Sequence, residues 1–244
     1  MSRSEASDES TKESPECSNG VDDRVSEGAS NVDRAIEAFR RGEPVLIHDA
    51  ADREGETDLI YPAGAVDAAA VARMRNDAGG LVCAALGDDV AEAFGLPFVQ
   101  EAIDHPLTAD HQLSYDDRAS FSLTVNHRET ETGITDAERA LTISELGAAA
   151  ANPAEYPFAE TFRSPGHVHL LRAAPTLSER QGHTELAIAL AAAAELPAAA
   201  VVCEMLDDES GAELPPAAAK AYADRNGFVY VEGADILGRF RDDA

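Results

Sequence analysis

The chain reads as an α/β (α+β) protein, and three observations carry that reading. Short apolar runs rich in β-branched residues alternate with Ala-rich runs at helical spacing. The alternation starts near residue 31 and continues almost to the C-terminus. No internal repeat and no linker-like stretch divides it, so a single domain is expected within the 244 residues.

Residues 1–30 are rich in Ser, Glu and Asp. Such a segment cannot bury enough apolar surface to fold, so it reads as an acidic disordered tail preceding a domain at 31–244. From Asn31, Val32, Ile36 and Phe39 fall at helical spacing, and Gly42 ends that helix. Strands are then expected at 44–48, 59–61, 80–86, 120–126, 167–172, 199–206 and 228–231. Helices are expected near 65–77, 88–94, 136–151, 184–195, 216–226 and 233–239.

Hydrophobic residues make up 44% of the chain, enough for a sizeable core, although much of that share is alanine and Trp is absent. No run of about 18 apolar residues would span a membrane, and the N-terminus lacks the apolar core of a signal peptide, so a cytoplasmic protein is expected. Net charge is −27, from 46 acids against 19 bases. That balance speaks against nucleic acid and anionic membranes as partners. Lys12 and Lys220 are the only lysines. Acid excess with lysine nearly replaced by arginine reads as adaptation to concentrated salt, where a Debye length of roughly 3 Å leaves like charges little repulsion. Cys17, Cys83 and Cys203 show neither metal-ligand spacing nor a disulfide framework. Cys83 and Cys203 sit in apolar runs as buried thiols.

Four segments hold chemistry. Asp49-Ala50-Ala51-Asp52-Arg53-Glu54-Gly55-Glu56-Thr57-Asp58 is an acidic loop between two strand-like runs. Asp52, Glu54, Glu56 and Asp58 stand two apart, so an extended segment would turn them to one side. Taken alone in so acidic a chain, the loop reads first as a solvated charge run; the alternative is a lid holding Mg²⁺ or Mn²⁺. Arg180-Gln181-Gly182-His183-Thr184-Glu185 precedes a helical run and makes an anion site from helix-start N–H groups, the Thr184 hydroxyl and Arg180. His183 reads equally as a ligand or as a cap-region histidine. Glu204, a carboxylate in an otherwise buried strand, reads as a general acid or base, or as a strand-end residue facing solvent. Arg163-Ser164-Pro165-Gly166-His167-Val168-His169 reads as a Pro-Gly turn that delivers His167 to the mouth of a strand. His167 and His169 would share a face there, as a chelating pair or, more commonly, as a turn and a surface histidine.

These segments occur in an order that resembles 3,4-dihydroxy-2-butanone 4-phosphate synthases over residues 31–240, with Thr132-Gly133-Ile134 and Gly80-Leu81-Val82-Cys83 as further matching positions. The resemblance implies a three-layer domain around a mixed sheet. It also implies conversion of ribulose 5-phosphate to L-3,4-dihydroxybutan-2-one 4-phosphate and formate with Mg²⁺ or Mn²⁺, in a homodimer with active sites at the subunit interface. It assigns Glu54 and His183 to the metal, and His167 and Glu204 to catalysis. Substrate binding falls to Arg53, Glu54, Asp58, Arg180, Gln181, Gly182, His183, Thr184 and Glu204. The sequence departs from the family at Ala50 and Ala51, where many members carry acids. It departs again at Thr57, where bacterial members usually have Gly, and at Gln181, which replaces a Gly. The competing readings are a nucleotide-binding relative acting on RNA, which the acid excess disfavours, and a silent phosphosugar-binding protein, from which His167, His183 and Glu204 would be missing. A fused GTP cyclohydrolase II domain is not expected, given the length and the lack of clustered cysteines.

The charge reading makes one prediction. The melting temperature should fall when molar salt is replaced by low salt, and a melting curve indifferent to salt would refute it.

Overall fold

The computed structural model describes residues 29–49, 55–108 and 118–241. Residues 1–28 of the tail and Asp52, Arg53 and Glu54 therefore lie outside the described residues. Among the described residues the chain alternates helices α1 (Asn31–Arg40), α2 (Ala68–Asp77), α3 (Asp88–Ala93), α4 (Val99–Ala102), α5 (Asp136–Ala149), α6 (Phe158–Thr161), α7 (His183–Ala193), α8 (Pro216–Asn226) and α9 (Gly233–Arg241) with strands β1 (Val45–His48), β2 (Thr57–Pro62), β3 (Cys83–Leu86), β4 (Phe121–His127), β5 (Phe162–Arg172), β6 (Ala199–Glu204) and β7 (Val229–Glu232). The sheet runs β4-β5-β3-β6-β2-β1-β7 and is mixed: β1–β7 and β3–β5 are parallel, and the other neighbours antiparallel.

Both faces of this sheet are covered, which is why its inner strands read as continuous apolar runs and not as alternating ones. One face carries Leu46, Leu59, Ala84, Val201 and Leu170 into a core shared with α2, α5 and α8. The other sends Ile47, Ile60, Ala85, Val202 and Val231 into a core shared with α1, α7 and α9. The three layers expected from the family resemblance are present. Helix starts follow their caps: Ser30 and Asp33 form a reciprocal capping box on α1, and Asp67 accepts the Ala70 N–H at α2. Pro216 opens α8, and Gly227 closes it in the left-handed region.

Three expectations are corrected. Strand β2 begins at Thr57, so Asp58 is a strand residue, 2% exposed, and not part of a lid. Antiparallel pairing with β6 draws it in. The positive φ that Thr57 could not supply is found at Gly55 (φ 71). The Pro-Gly segment is not a turn before a strand. It lies within β5, where Val125 pairs with Val168 but the next residue, Asn126, pairs with Arg163, so residues 164–167 bulge out. The short helices α4 and α6 were not anticipated, since four residues give no periodicity to read.

Gly147 in α5 packs against the 3-10 turn at Ala63–Ala65, and a Cβ there would lie 2.5 Å from the Gly64 nitrogen. Alanine would gain roughly 1 kcal/mol of helix propensity but should lose about 1–3 kcal/mol to overpacking. Gly147→Ala should therefore lower the melting temperature measured by circular dichroism, and an increase would contradict this packing.

Candidate active site

The site lies on the α7 side of the sheet. Register sets Asp58 on β2 directly opposite Glu204 on β6. Both side chains line a cavity of about 280 Å³ whose apolar floor includes Cys83, Leu171, Val202 and Phe121. That volume is at the small end for ligand sites, in keeping with a small substrate. Like charges directly opposite one another on a sheet are destabilising, so this pair calls for positive charge nearby. Glu204 thus faces the cavity and not bulk solvent.

The hairpin between β1 and β2 brings a third acid. The Glu56 carbonyl accepts the Asp49 N–H at 2.9 Å and lies 3.0 Å from His48 Nδ1, which fixes the backbone where the loop rejoins β2. Among the described residues, Glu56, Asp58 and His183 are the group of acids and histidines that could hold a metal ion, with ligand atoms all within 4.8 Å of one another. His183 Nδ1 stands 3.7 Å from Asp58 Oδ2. Oxygen ligands about 2.1 Å from Mg²⁺ would sit about 3–4 Å apart, so a modest contraction would close the set. Two carboxylates and one imidazole suit Mg²⁺ or Mn²⁺.

Helix α7 carries the other half of the site. It is apolar nearly all round because it is wedged between the sheet and helices α1 and α9. Its first turn is organised by Glu185, 3% exposed, which accepts the Ala174 N–H at 2.8 Å, the Gly182 N–H at 3.1 Å and Arg180 Nη1 at 2.7 Å. The carboxylate turns back to cap its own helix and to orient Arg180. His183 and Thr184 are left on the cavity wall. The Thr184 hydroxyl is buried without a hydrogen-bond partner, a cost of roughly 1–3 kcal/mol that a ligand oxygen would relieve.

Cys83 and Cys203 are not nucleophiles. Burial, aided in each case by neighbouring acidic groups, pushes each thiol up to about 12. His169 is lowered by burial and packs edge-on to Phe121 at 6.2 Å. Among the described residues neither His169 nor His167 belongs to the metal-capable group, and the His167 ring meets Asn126.

The structure gathers Asp58, Arg180, His183, Thr184 and Glu204 around one cavity. Gln181 and Gly182 lie in the segment leading into α7. Arg53 and Glu54 fall outside the described residues. His167 is exposed and does not line the cavity. Glu56, which the resemblance did not assign to the metal, stands in the metal-capable cluster; its spacing two residues from Asp58 was the available signal.

A family model for 3,4-dihydroxy-2-butanone 4-phosphate synthase matches residues 33–238. The chain belongs to that family. The 3,4-dihydroxy-2-butanone 4-phosphate synthases of Methanosarcina acetivorans and Archaeoglobus fulgidus are each 45% identical over 224 residues, spanning 86% of this chain and 91% and 94% of theirs. A solved 3,4-dihydroxy-2-butanone 4-phosphate synthase in complex with two magnesium ions superposes with a TM-score of 0.75 at 30% identity, over 88% of this chain and 98% of that one. The family reaction is a lyase step of riboflavin biosynthesis that starts from ribulose 5-phosphate, and the cavity's chemistry is read in that light.

Beside the cavity-forming elements, Glu138 at the start of α5 fastens the 131–135 segment. Its carboxylate accepts the N–H groups of Glu131, Thr132 and Gly133 and the hydroxyls of Thr132 and Thr135. The Thr132 hydroxyl is the leading cause holding Glu138 down at about 2, with the Thr135 hydroxyl and backbone N–H groups adding to it. Because the folded value lies below the unfolded one of about 4.3, this stabilisation is present above that pH and lost as pH falls toward 2. Glu138→Gln should be less stable than the parent at pH 7, with the difference vanishing through that acid window. A difference that is the same at pH 2 and pH 7 would contradict the assignment.

Proposed function

We propose that the cavity enolises ribulose 5-phosphate and carries it through dehydration, rearrangement and formate release, with roles divided along its two walls. The observation that carries this is the Asp58–Glu204 pair facing the His183 end of α7 across one small cavity. Enolising a ketose needs a base near carbon and a polarised carbonyl. Glu56, Asp58 and His183, with Glu54 from the loop, would hold Mg²⁺ or Mn²⁺, which when bound supplies charge to polarise the substrate's oxygens. Thr184, Arg180 and the backbone of Gln181 and Gly182 receive the phosphate end. A loop carboxylate takes the first proton, and Glu204 moves protons in the later steps. Arg53 is assigned to binding the phosphosugar.

The second catalytic group, His167, is exposed and off the cavity of its own chain. Phe121 and Leu123 on the edge strand β4, together with Leu81, Ile103 and Ile134, expose apolar surface. A homodimer burying that surface would place His167 at a partner's cavity, with the active sites at the interface. No helix among the described residues is long and apolar enough to cross a membrane. We read the protein as cytoplasmic and adapted to salt.

Formate released from ribulose 5-phosphate with Mg²⁺ in high salt, and suppressed by EDTA, is the expected result; no formate would refute the proposal. Glu204→Gln should cut kcat by about 10²–10⁴, and Glu54→Ala should first raise the metal concentration required. Near-full activity of Glu204→Gln would show its role to be misassigned. Mixed dimers of His167→Ala and Glu204→Gln chains should regain activity, and no regain would place both groups in one subunit's site.

A further inference from the structure

The β5 bulge is fastened by one side chain. Asn126, 3% exposed, accepts the His167 backbone N–H on its Oδ1 at 2.8 Å. Its Nδ2 lies 3.2 Å from the Thr132 carbonyl oxygen and 3.2 Å from His167 Nδ1. A backbone N–H can only donate and a backbone carbonyl can only accept, so these two contacts fix which way the amide faces. Both Nδ2 hydrogens are then committed, one to Thr132 and one to His167, and His167 Nδ1 must be the acceptor. A neutral imidazole that accepts at Nδ1 carries its proton on Nε2.

The surroundings are built to admit this amide. Gly133 has φ +83, and a Cβ there would lie 2.0 Å from Asn126 Nδ2. The segment bearing Thr132 and Gly133 is the one that Glu138 fastens. Strand β4 and the segment that follows it thus fix an amide that meets a histidine 41 positions further along the chain. The Gly166 N–H, bonded to the Thr124 hydroxyl at 3.1 Å, holds the other end of the bulge.

We infer that Asn126 is a positioning residue that holds His167 as the neutral Nε2–H tautomer, so that His167 offers the substrate a hydrogen-bond donor and not a proton acceptor. This rests on the reading of His167 as a group that acts on substrate. In that role Nε2–H would stabilise negative charge developing on a substrate oxygen without itself changing protonation, as a fixed donor does. Proton transfer is then left to the carboxylates.

The test is the side-chain ¹⁵N spectrum of the full chain labelled at histidine, recorded at a pH where the rings are neutral, with the His167 signals identified by their loss in His167→Gln. The expected pattern is an unprotonated Nδ1 and a protonated Nε2; a proton on Nδ1, or a mixture of tautomers, overturns the inference. This spectrum needs no variant of Asn126 and so does not depend on one folding. Asn126→Asp puts an acceptor where the donor stood, so the tautomer should switch to Nδ1–H. Its kcat should fall about tenfold or more while KM for ribulose 5-phosphate stays within about twofold; an unchanged tautomer and kcat would overturn the positioning role. Full activity of His167→Ala would instead refute the catalytic reading beneath it, a result told apart because the parent spectrum would still show the Nε2–H form.

Discussion

Two carboxylates facing one another across neighbouring strands organise this molecule. Asp58 and Glu204 are register partners on β2 and β6, and their side chains share one face of the sheet over an apolar floor. Such a pair is uphill by itself, and the rest of the structure supplies what it lacks. The N-terminal end of α7, with the positive end of its dipole, is pressed onto that face. It stays there because the helix is buried on nearly every side, with Leu186 and Leu190 fully enclosed. Glu185 takes the N–H of the cap residue Gly182, while His183 and Thr184 line the cavity.

Much of this was legible in the residues. The continuous apolar runs announced strands buried on both sides, and the resemblance to a known family supplied the three layers. The helix start after Arg180-Gln181-Gly182 was readable because Gly182 stands ahead of an apolar run. What could not be read was register. Whether Asp58 belonged to a lid or a strand, and whether Glu204 looked at solvent or at another acid, depends on which strand pairs with which. That is a contact between residues far apart in sequence, and periodicity is silent on it.

The bulge in β5 shows the same limit from another side. Ser164-Pro165-Gly166-His167 has the composition of a turn, and local chemistry gave no reason to place it inside a strand. The pairing of Phe162 and Arg163 with β4 makes it one, and Asn126 then fills the space the bulge creates. Asn126 drew no notice in the sequence because an asparagine within a strand-like run has no spacing signature. Gly133, singled out only through its neighbours in the family motif, takes its physical meaning from that same amide.

The central claim is that Glu56, Asp58 and His183 make a divalent cation site against Glu204. Titration of the protein with Mn²⁺, followed by electron paramagnetic resonance without substrate, tests it most directly. Saturable Mn²⁺ binding is expected, weakened about tenfold or more in both Asp58→Asn and His183→Ala. Saturable binding of unchanged affinity in both variants would contradict it.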